Sequence, residues 1–150
     1  MPAATRTRTA VDRELVVRLR LALMRLGRRL RQQTGEEITA SQLSALSSVD
    51  RLGPITLGAL AAAERVRPPT MTRIVANLEA AGLVLRRPDA GDRRVARVEG
   101  TAAGRALLAR SRSRKDAYLA RRLATLSPAE LAVLGQAAAV LERLLEEERA

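Results

Sequence analysis

The order of local signals between Thr39 and Val98 constrains the fold more than any property of the whole chain. Thr39-Ala40-Ser41-Gln42 is a capping box, in which the hydroxyl takes the amide at the third helical position and Gln42 reaches back. Leu43, Leu46 and Val49 follow at helical spacing, and Gly53-Pro54 ends that helix. Ile55-Thr56 opens a second, short helix. Thr56 caps it, and Leu57, Leu60 and Ala61 face inward before Arg65-Val66-Arg67 turns the chain. Pro68 and Pro69 suit a first helical turn, where their missing amide donors would be unpaired anyway. A third helix is therefore predicted from Pro68 to Ala81, with Gly82 as its stop.

The faces of that third helix differ. At about 100° per residue, Met71, Ile74, Val75 and Leu78 fall on one side, and Thr72, Arg73, Ala76, Asn77 and Ala80 on the other. Two short β-capable runs, 83–87 and 94–98, then flank the turn-rich Pro88-Asp89-Ala90-Gly91-Asp92 and read as a hairpin with arginines at both shoulders. A helix, a short helix, a turn, an amphipathic helix with a small polar face, then a hairpin is the winged helix-turn-helix arrangement.

Helical periods flank this unit on both sides. From Val11 to Gln33, Leu15, Leu19, Ala22, Leu26 and Leu30 recur at steps of three and four, with Arg18, Arg25, Arg28 and Arg29 between them. Thr101 caps a helix reaching to about Leu126, and Ser127-Pro128-Ala129-Glu130 is a second capping box. The last helix carries a seam of Leu131, Leu134, Ala138, Leu141 and Leu145, suited to pairing with a helix of this chain or of a second subunit. The predicted order is four helices, two strands and two helices, all in one domain over 1–150. The fold class is mainly α with a small β-hairpin wing. Residues 39–100 form the winged helix-turn-helix, flanked by helices over 11–33 and 102–148. Residues 1–10, with Arg6 and Arg8 and no apolar period, read as a mobile basic arm.

Composition then narrows the chemistry. The chain has no Cys and no His, which removes disulfides, thiolate or imidazole metal sites and the usual nucleophile–base pairs of hydrolases. Adjacent acids such as Glu36-Glu37 do not form a cleft, and no glycine-rich phosphate loop is present, so neither an enzyme nor a cofactor is expected. Tyr118 is the one aromatic residue, which leaves nothing on which to stack a run of unpaired bases. The longest apolar stretch, Leu57 to Ala63, is too short to span a bilayer, and no signal peptide is evident.

Net charge is +11, from 27 basic residues of which all but Lys115 are arginine, the side chain suited to bidentate phosphate and guanine contacts. The charge is banded. Residues 65–104 hold eight Arg against four acids, whereas 123–150 hold two Arg against five Glu. A basic chain without aromatics points to duplex phosphate, with Thr70, Thr72, Arg73 and Asn77 reaching toward base edges from the third helix. The alternative at this level is an architectural protein that coats DNA without reading sequence.

Arg67-Pro-Pro-Thr-Met-Thr-Arg-Ile-Val75, Leu78-Glu-Ala-Ala-Gly-Leu-Val84 and Arg86-Arg-Pro-Asp-Ala-Gly-Asp-Arg-Arg94 together resemble the multiple-antibiotic-resistance regulator (MarR) family. The resemblance spans nearly the whole chain. It implies a wing motif of Asp92 and Arg94, with the arginine in a minor groove and the aspartate steadying the wing. It also implies a homodimer formed by the flanking helices, acting as a transcriptional regulator in the cytoplasm and on the nucleoid. The physics agrees, because a narrow minor groove concentrates negative potential that an arginine at a hairpin tip can reach. The residues expected against DNA are Arg67, Thr70, Thr72, Arg73, Asn77, Arg86, Asp92, Arg93 and Arg94. The family resemblance further implies release by a small aromatic or anionic ligand in the cleft beside the dimer helices, where Arg18, Arg25 and Tyr118 are candidates. The chain departs from the family pattern at Glu99-Gly100, where an apolar residue is usual before the threonine, and at Arg67, where a small capping residue is common.

Overall fold

Thr39 caps helix α2 (Ala40–Leu52) with both halves of the capping box in place: its hydroxyl accepts from the Gln42 amide at 3.2 Å, and the Gln42 carbonyl accepts from the Thr39 amide at 2.8 Å. The computed structural model describes residues 11–35 and 37–147; the expected basic arm 1–10 and the end of the 102–148 span lie outside the described residues. Gly53, at φ +72°, reverses the chain after α2, a backbone region costly to residues with a Cβ.

Beyond Gly53 the chain departs from the helix expected there. Ile55–Thr56 is a strand, β1, before helix α3 (Leu57–Ala63), although Thr56 still caps α3 by accepting from the Ala59 amide at 3.2 Å. Two residues are too few to show a period, so this edge strand has no sequence signature. Helix α4 (Pro68–Ala80) carries Pro at its first two positions, and Gly82 at φ +73° turns the chain into the sheet. Strand β2 (Val84–Pro88) pairs antiparallel with β3 (Ala96–Gly100), and β3 also pairs with β1 through Ile55 opposite Val98, giving the order β1-β3-β2.

The strands are displaced from the expected 83–87 and 94–98, most at the second. Asp89 and Asp92 draw the backbone of 89–95 into a side-chain-bonded loop, leaving Arg94 and Val95 at the wing tip instead of in the ladder. Helix α5 (Ala102–Leu123) starts on Thr101, whose hydroxyl accepts from the Gly104 amide at 3.1 Å and donates to the Gly82 carbonyl at 2.6 Å. It ends three residues before the expected Leu126. Ser127 then caps helix α6 (Pro128–Glu147): Glu130 accepts from the Ser127 amide at 2.8 Å, and the Ser127 hydroxyl accepts from the Glu130 amide at 3.2 Å.

One core holds the winged unit together. Leu46, Val49, Leu60, Met71, Val75, Leu78, Val84 and Val98 are fully buried, and Leu107 and Leu108 bring the first half of α5 into the same cluster. Gly104 permits that approach, because a Cβ there would collide with the Leu83 carbonyl oxygen and stand 3.2 Å from Leu46 Cδ1. Helix α1 (Arg13–Arg31) is capped by Asp12 and continues through a 3-10 turn over Gln32–Thr34. It buries no residue at all. Ion pairs lash α5 to the start and end of the α2 region: Arg110 and Arg114 to Glu37 at 3.2 and 3.9 Å, and Arg112 to Asp50 at 3.4 Å.

Candidate nucleic-acid interface

Helix α4 divides as its sequence requires. Met71, Val75 and Leu78 are buried and Ile74 half-buried, while Thr72, Arg73, Ala76, Asn77 and Ala80 are exposed on the opposite face. Arg73 has no ion pair among the described residues, so its guanidinium is available to an outside acceptor. The Thr72 hydroxyl donates to the Pro68 carbonyl at 3.0 Å, which leaves its methyl and its oxygen lone pairs facing out. Thr70 is half-buried at the first turn, and Arg67 occupies the N-cap position without a side-chain cap; because Pro68 and Pro69 have no N–H, the Thr70 amide is the one donor of the first three helical positions.

The turn before α4 is set by residues that carry no recognisable sequence signal. Arg65 sits at φ +54°, an uncommon conformation for a residue with a side chain. Beside it, the Glu64 carboxylate accepts hydrogen bonds from Ser44 at 2.6 Å and from Ser48, both on α2. Glu64 therefore ties the turn to the preceding helix, which orients α4 relative to the core.

At the wing, charge is sorted by position. Arg86, at the base of β2, is half-buried with its Nε 3.3 Å from the Glu79 carboxylate on α4, and Arg87 lies 3.2 Å from Glu99 on β3. Arg86 is thus occupied beside the recognition-type helix and is not brought to the tip with the other expected contacts. Arg93 and Arg94 are at the tip. The Arg94 side chain is 92% exposed and its guanidinium is bonded through Nε, 3.3 Å from Asp92 Oδ1, which leaves its two terminal amino groups without a bond among the described residues. The same Asp92 oxygen accepts from the Arg94 amide at 3.0 Å. A guanidinium held at its base and open at its end fits insertion into a narrow groove.

Asp89 is not among the residues expected from the sequence, yet it accepts from the amides of Gly91 at 3.0 Å and Asp92 at 3.1 Å and from Nε of Arg97 on β3. The Arg97 contact first, then the two amides, hold the Asp89 carboxyl below the usual carboxylate range. A signal for it exists in Pro88-Asp89-Ala90-Gly91, since an aspartate at the start of a turn bonds amides two and three residues on.

The candidate ligand residues are less gathered. Arg25 shares a groove with Arg28 and Arg29 of its own helix and Gln32 of the following 3-10 turn, and neither Arg18 nor Tyr118 lines it. Tyr118, half-buried on α5, lies under the Arg122 guanidinium at 5.5 Å. Among the described residues no cluster of His, Cys, Asp and Glu could hold a metal ion, and no helix is long and apolar enough to cross a membrane.

Comparison with known proteins agrees with this geometry. The profile of the MarR family matches residues 38–96, the segment from the α2 cap to the start of β3. The HTH-type transcriptional regulator Mb0904 of Mycobacterium bovis is 42% identical over 137 residues, which cover 91% of this chain and 96% of that one. Among solved structures, a Pseudomonas aeruginosa PA01 protein described as a transcriptional regulator matches with a TM-score of 0.82 at 35% identity, over 92% of this chain and 99% of that chain. A MarR family protein from Bacillus stearothermophilus matches with a TM-score of 0.75 at 25% identity, over 91% and 99% of the two chains. With its exposed helix face, arginine-tipped wing and close regulatory relatives, this chain belongs to the MarR family of DNA-binding, winged helix-turn-helix transcriptional regulators.

Proposed function

We propose that the protein is a homodimeric repressor that reads a pseudo-palindromic operator, placing α4 of each subunit in successive major grooves and each wing in a flanking minor groove. The observation that carries this reading is the pairing of an unobstructed Thr72-Arg73-Asn77 face with the outward guanidinium of Arg94. In this reading Arg67 meets phosphate at the start of α4, Thr70, Thr72, Arg73 and Asn77 reach base edges, and Asp92 holds Arg94 for the minor groove with Arg93 beside it on the backbone. Arg86 contributes positive potential from the base of the wing.

Two subunits are supported by the apolar faces of α1 and α6. Leu15 is 55% exposed and Leu145 64% exposed, amounts of bare leucine that a single chain does not usually leave on two helices. A dimer sets half-sites one helical turn apart, about 34–36 Å. A small aromatic or anionic ligand seated near Arg18, Arg25 and Tyr118 would release the operator by shifting the flanking helices against the winged unit. The protein acts in the cytoplasm, on the chromosome.

The test is fluorescence anisotropy with the gene's own upstream intergenic DNA and with scrambled duplex, at two salt concentrations, for wild type and Arg94→Ala. A sequence reader prefers the upstream fragment by about a thousandfold or more, and Arg94→Ala weakens that preference. Equal, steeply salt-dependent binding to both duplexes would instead favour an architectural coater.

A further inference from the structure

The Asp92–Arg94 contact is internal to the wing tip: no described contact of either side chain reaches the body of the protein. Something else must fix where the tip stands relative to α4. Asp89 is placed to do so. Its carboxylate binds the Gly91 and Asp92 amides on the tip side and Arg97 on the sheet side. Arg97 sits opposite Thr56 in the ladder and opposite Arg87 on the other edge, and its Nη1 donates to the Pro54 carbonyl at 3.4 Å, at the threshold of β1. A continuous set of bonds therefore runs from Pro54 through Arg97 and Asp89 to the Asp92 amide, and from the Asp92 carboxylate to Arg94.

Exposure separates the two aspartates. The Asp89 side chain is 21% exposed and the Asp92 side chain 47%, so the inner carboxylate is the one enclosed between tip and sheet. The wing tip holds no apolar anchor of its own, since Ala90, Gly91 and Val95 are all exposed. Its position consequently depends on these polar contacts. Without them, the loop 89–95 would be held by the strand ends and two backbone bonds, Asp89 amide to Val95 carbonyl at 2.8 Å and Val95 amide to Asp92 carbonyl at 2.9 Å, neither of which ties the tip to the body of the protein.

We infer that Asp89 and Arg97 form a clasp that positions Arg94 for DNA, so that Asp89 is a positioning residue for operator preference although it is acidic and its carboxylate is bonded within the wing. The inference rests on the minor-groove reading of Arg94. It makes a signed prediction: by charge alone, removing an acid from a basic DNA-binding surface tightens binding to every duplex, whereas losing the clasp weakens binding to the operator.

The experiment uses the full-length protein and the same two duplexes, upstream intergenic and scrambled. Asp89→Asn is expected to bind scrambled duplex as well as wild type or better, while its preference for the upstream fragment falls by about tenfold, the scale of one lost specific contact. Arg97→Gln should lose a similar factor in preference. In an Arg94→Ala background, Asp89→Asn should cause no further loss of preference, because a positioning residue has nothing left to position. Retained binding to scrambled duplex shows that each variant is folded. Losses from Asp89→Asn and Arg94→Ala that multiply, or unchanged preference in Asp89→Asn beside a loss in Arg94→Ala, would overturn the clasp alone. No loss in Arg94→Ala would overturn the minor-groove reading and the clasp with it.

Discussion

Helices α1 and α4 are both amphipathic, but α4 hides its apolar face and α1 shows it. In α4 the residues Met71, Val75 and Leu78 are fully buried against α2, α3 and the sheet. In α1 not one of 19 residues is buried, and Leu15, Leu19, Leu23 and Leu26 are each at least two-fifths exposed. Helix α6 resembles α1, with Leu131, Leu134, Leu144 and Leu145 bare. The winged unit, with the first half of α5, thus buries its apolar faces within one chain, and helices α1 and α6 do not. Exposed leucine at this density marks an interaction surface, which is what the proposed second subunit would cover.

The comparison breaks most forcefully on the flanking side. If the proposed dimer forms through the bare face of α6, Leu134→Glu puts a charge into that interface, and the expected outcome is a monomer in sedimentation equilibrium where wild type is a dimer. Operator affinity should then fall by about a hundredfold or more, because two linked reading heads become one. Binding to scrambled duplex should fall far less. A variant that stays dimeric would show that the leucine face of α6 is not what the second subunit covers.

On the winged side, Leu60→Ala tests whether the core is as self-sufficient as its burial suggests. Leu60 has no exposed surface, and truncation should cost about 2–5 kcal/mol in urea unfolding. Gly104→Ala should cost less, about 1–3 kcal/mol, since its Cβ must push α5 away from the Leu83 carbonyl. A Gly104→Ala variant as stable as wild type would mean that the close approach of α5 to the Leu83 backbone, just before β2, can relax without loss.

The same contrast governs how much of the molecule is legible in its sequence. Helix α4 can be placed to within a residue, because two prolines, a clean apolar face and Gly82 mark its start, side and end. The capping boxes at Thr39 and Ser127 likewise mark α2 and α6. Strand β1 escapes detection because a two-residue strand carries no period and its pairing partner Val98 lies 43 positions away. The hairpin is detectable but its strands are not placed correctly, because side chains of Asp89 and Asp92 shape the loop and alternation says nothing about them. Of the interface, Arg73, Asn77 and Arg94 are visible as exposed polar groups on recognised elements. Arg97 and Glu64 are not, since each acts through a partner that only the folded chain brings near, Asp89 for Arg97 and Ser44 and Ser48 for Glu64; Asp89 is legible only as a turn residue bonding the Gly91 and Asp92 amides, not as the partner of Arg97.

The smallest effect separates the two regions by pH. Each contains a carboxylate whose pKa is lowered on folding, Asp89 in the wing and Glu130 at the start of α6, the latter by the Ser127 amide and then the Ser127 hydroxyl. A lowered folded pKa means that the stabilisation is present above the unfolded value and disappears as pH falls through the folded one. Glu130→Ala should therefore be slightly less stable than wild type at neutral pH, with the gap closing on acidification below the ordinary glutamate range. The difference should be read in helix content and thermal midpoint, and operator preference at neutral pH should be unchanged. Asp89→Asn should behave oppositely, with a small change in stability and a clear loss of preference. If Glu130→Ala altered preference as much as Asp89→Asn, the α6 cap would be coupled to the wing, and the division into a self-contained reading unit and an incomplete flanking one would fail.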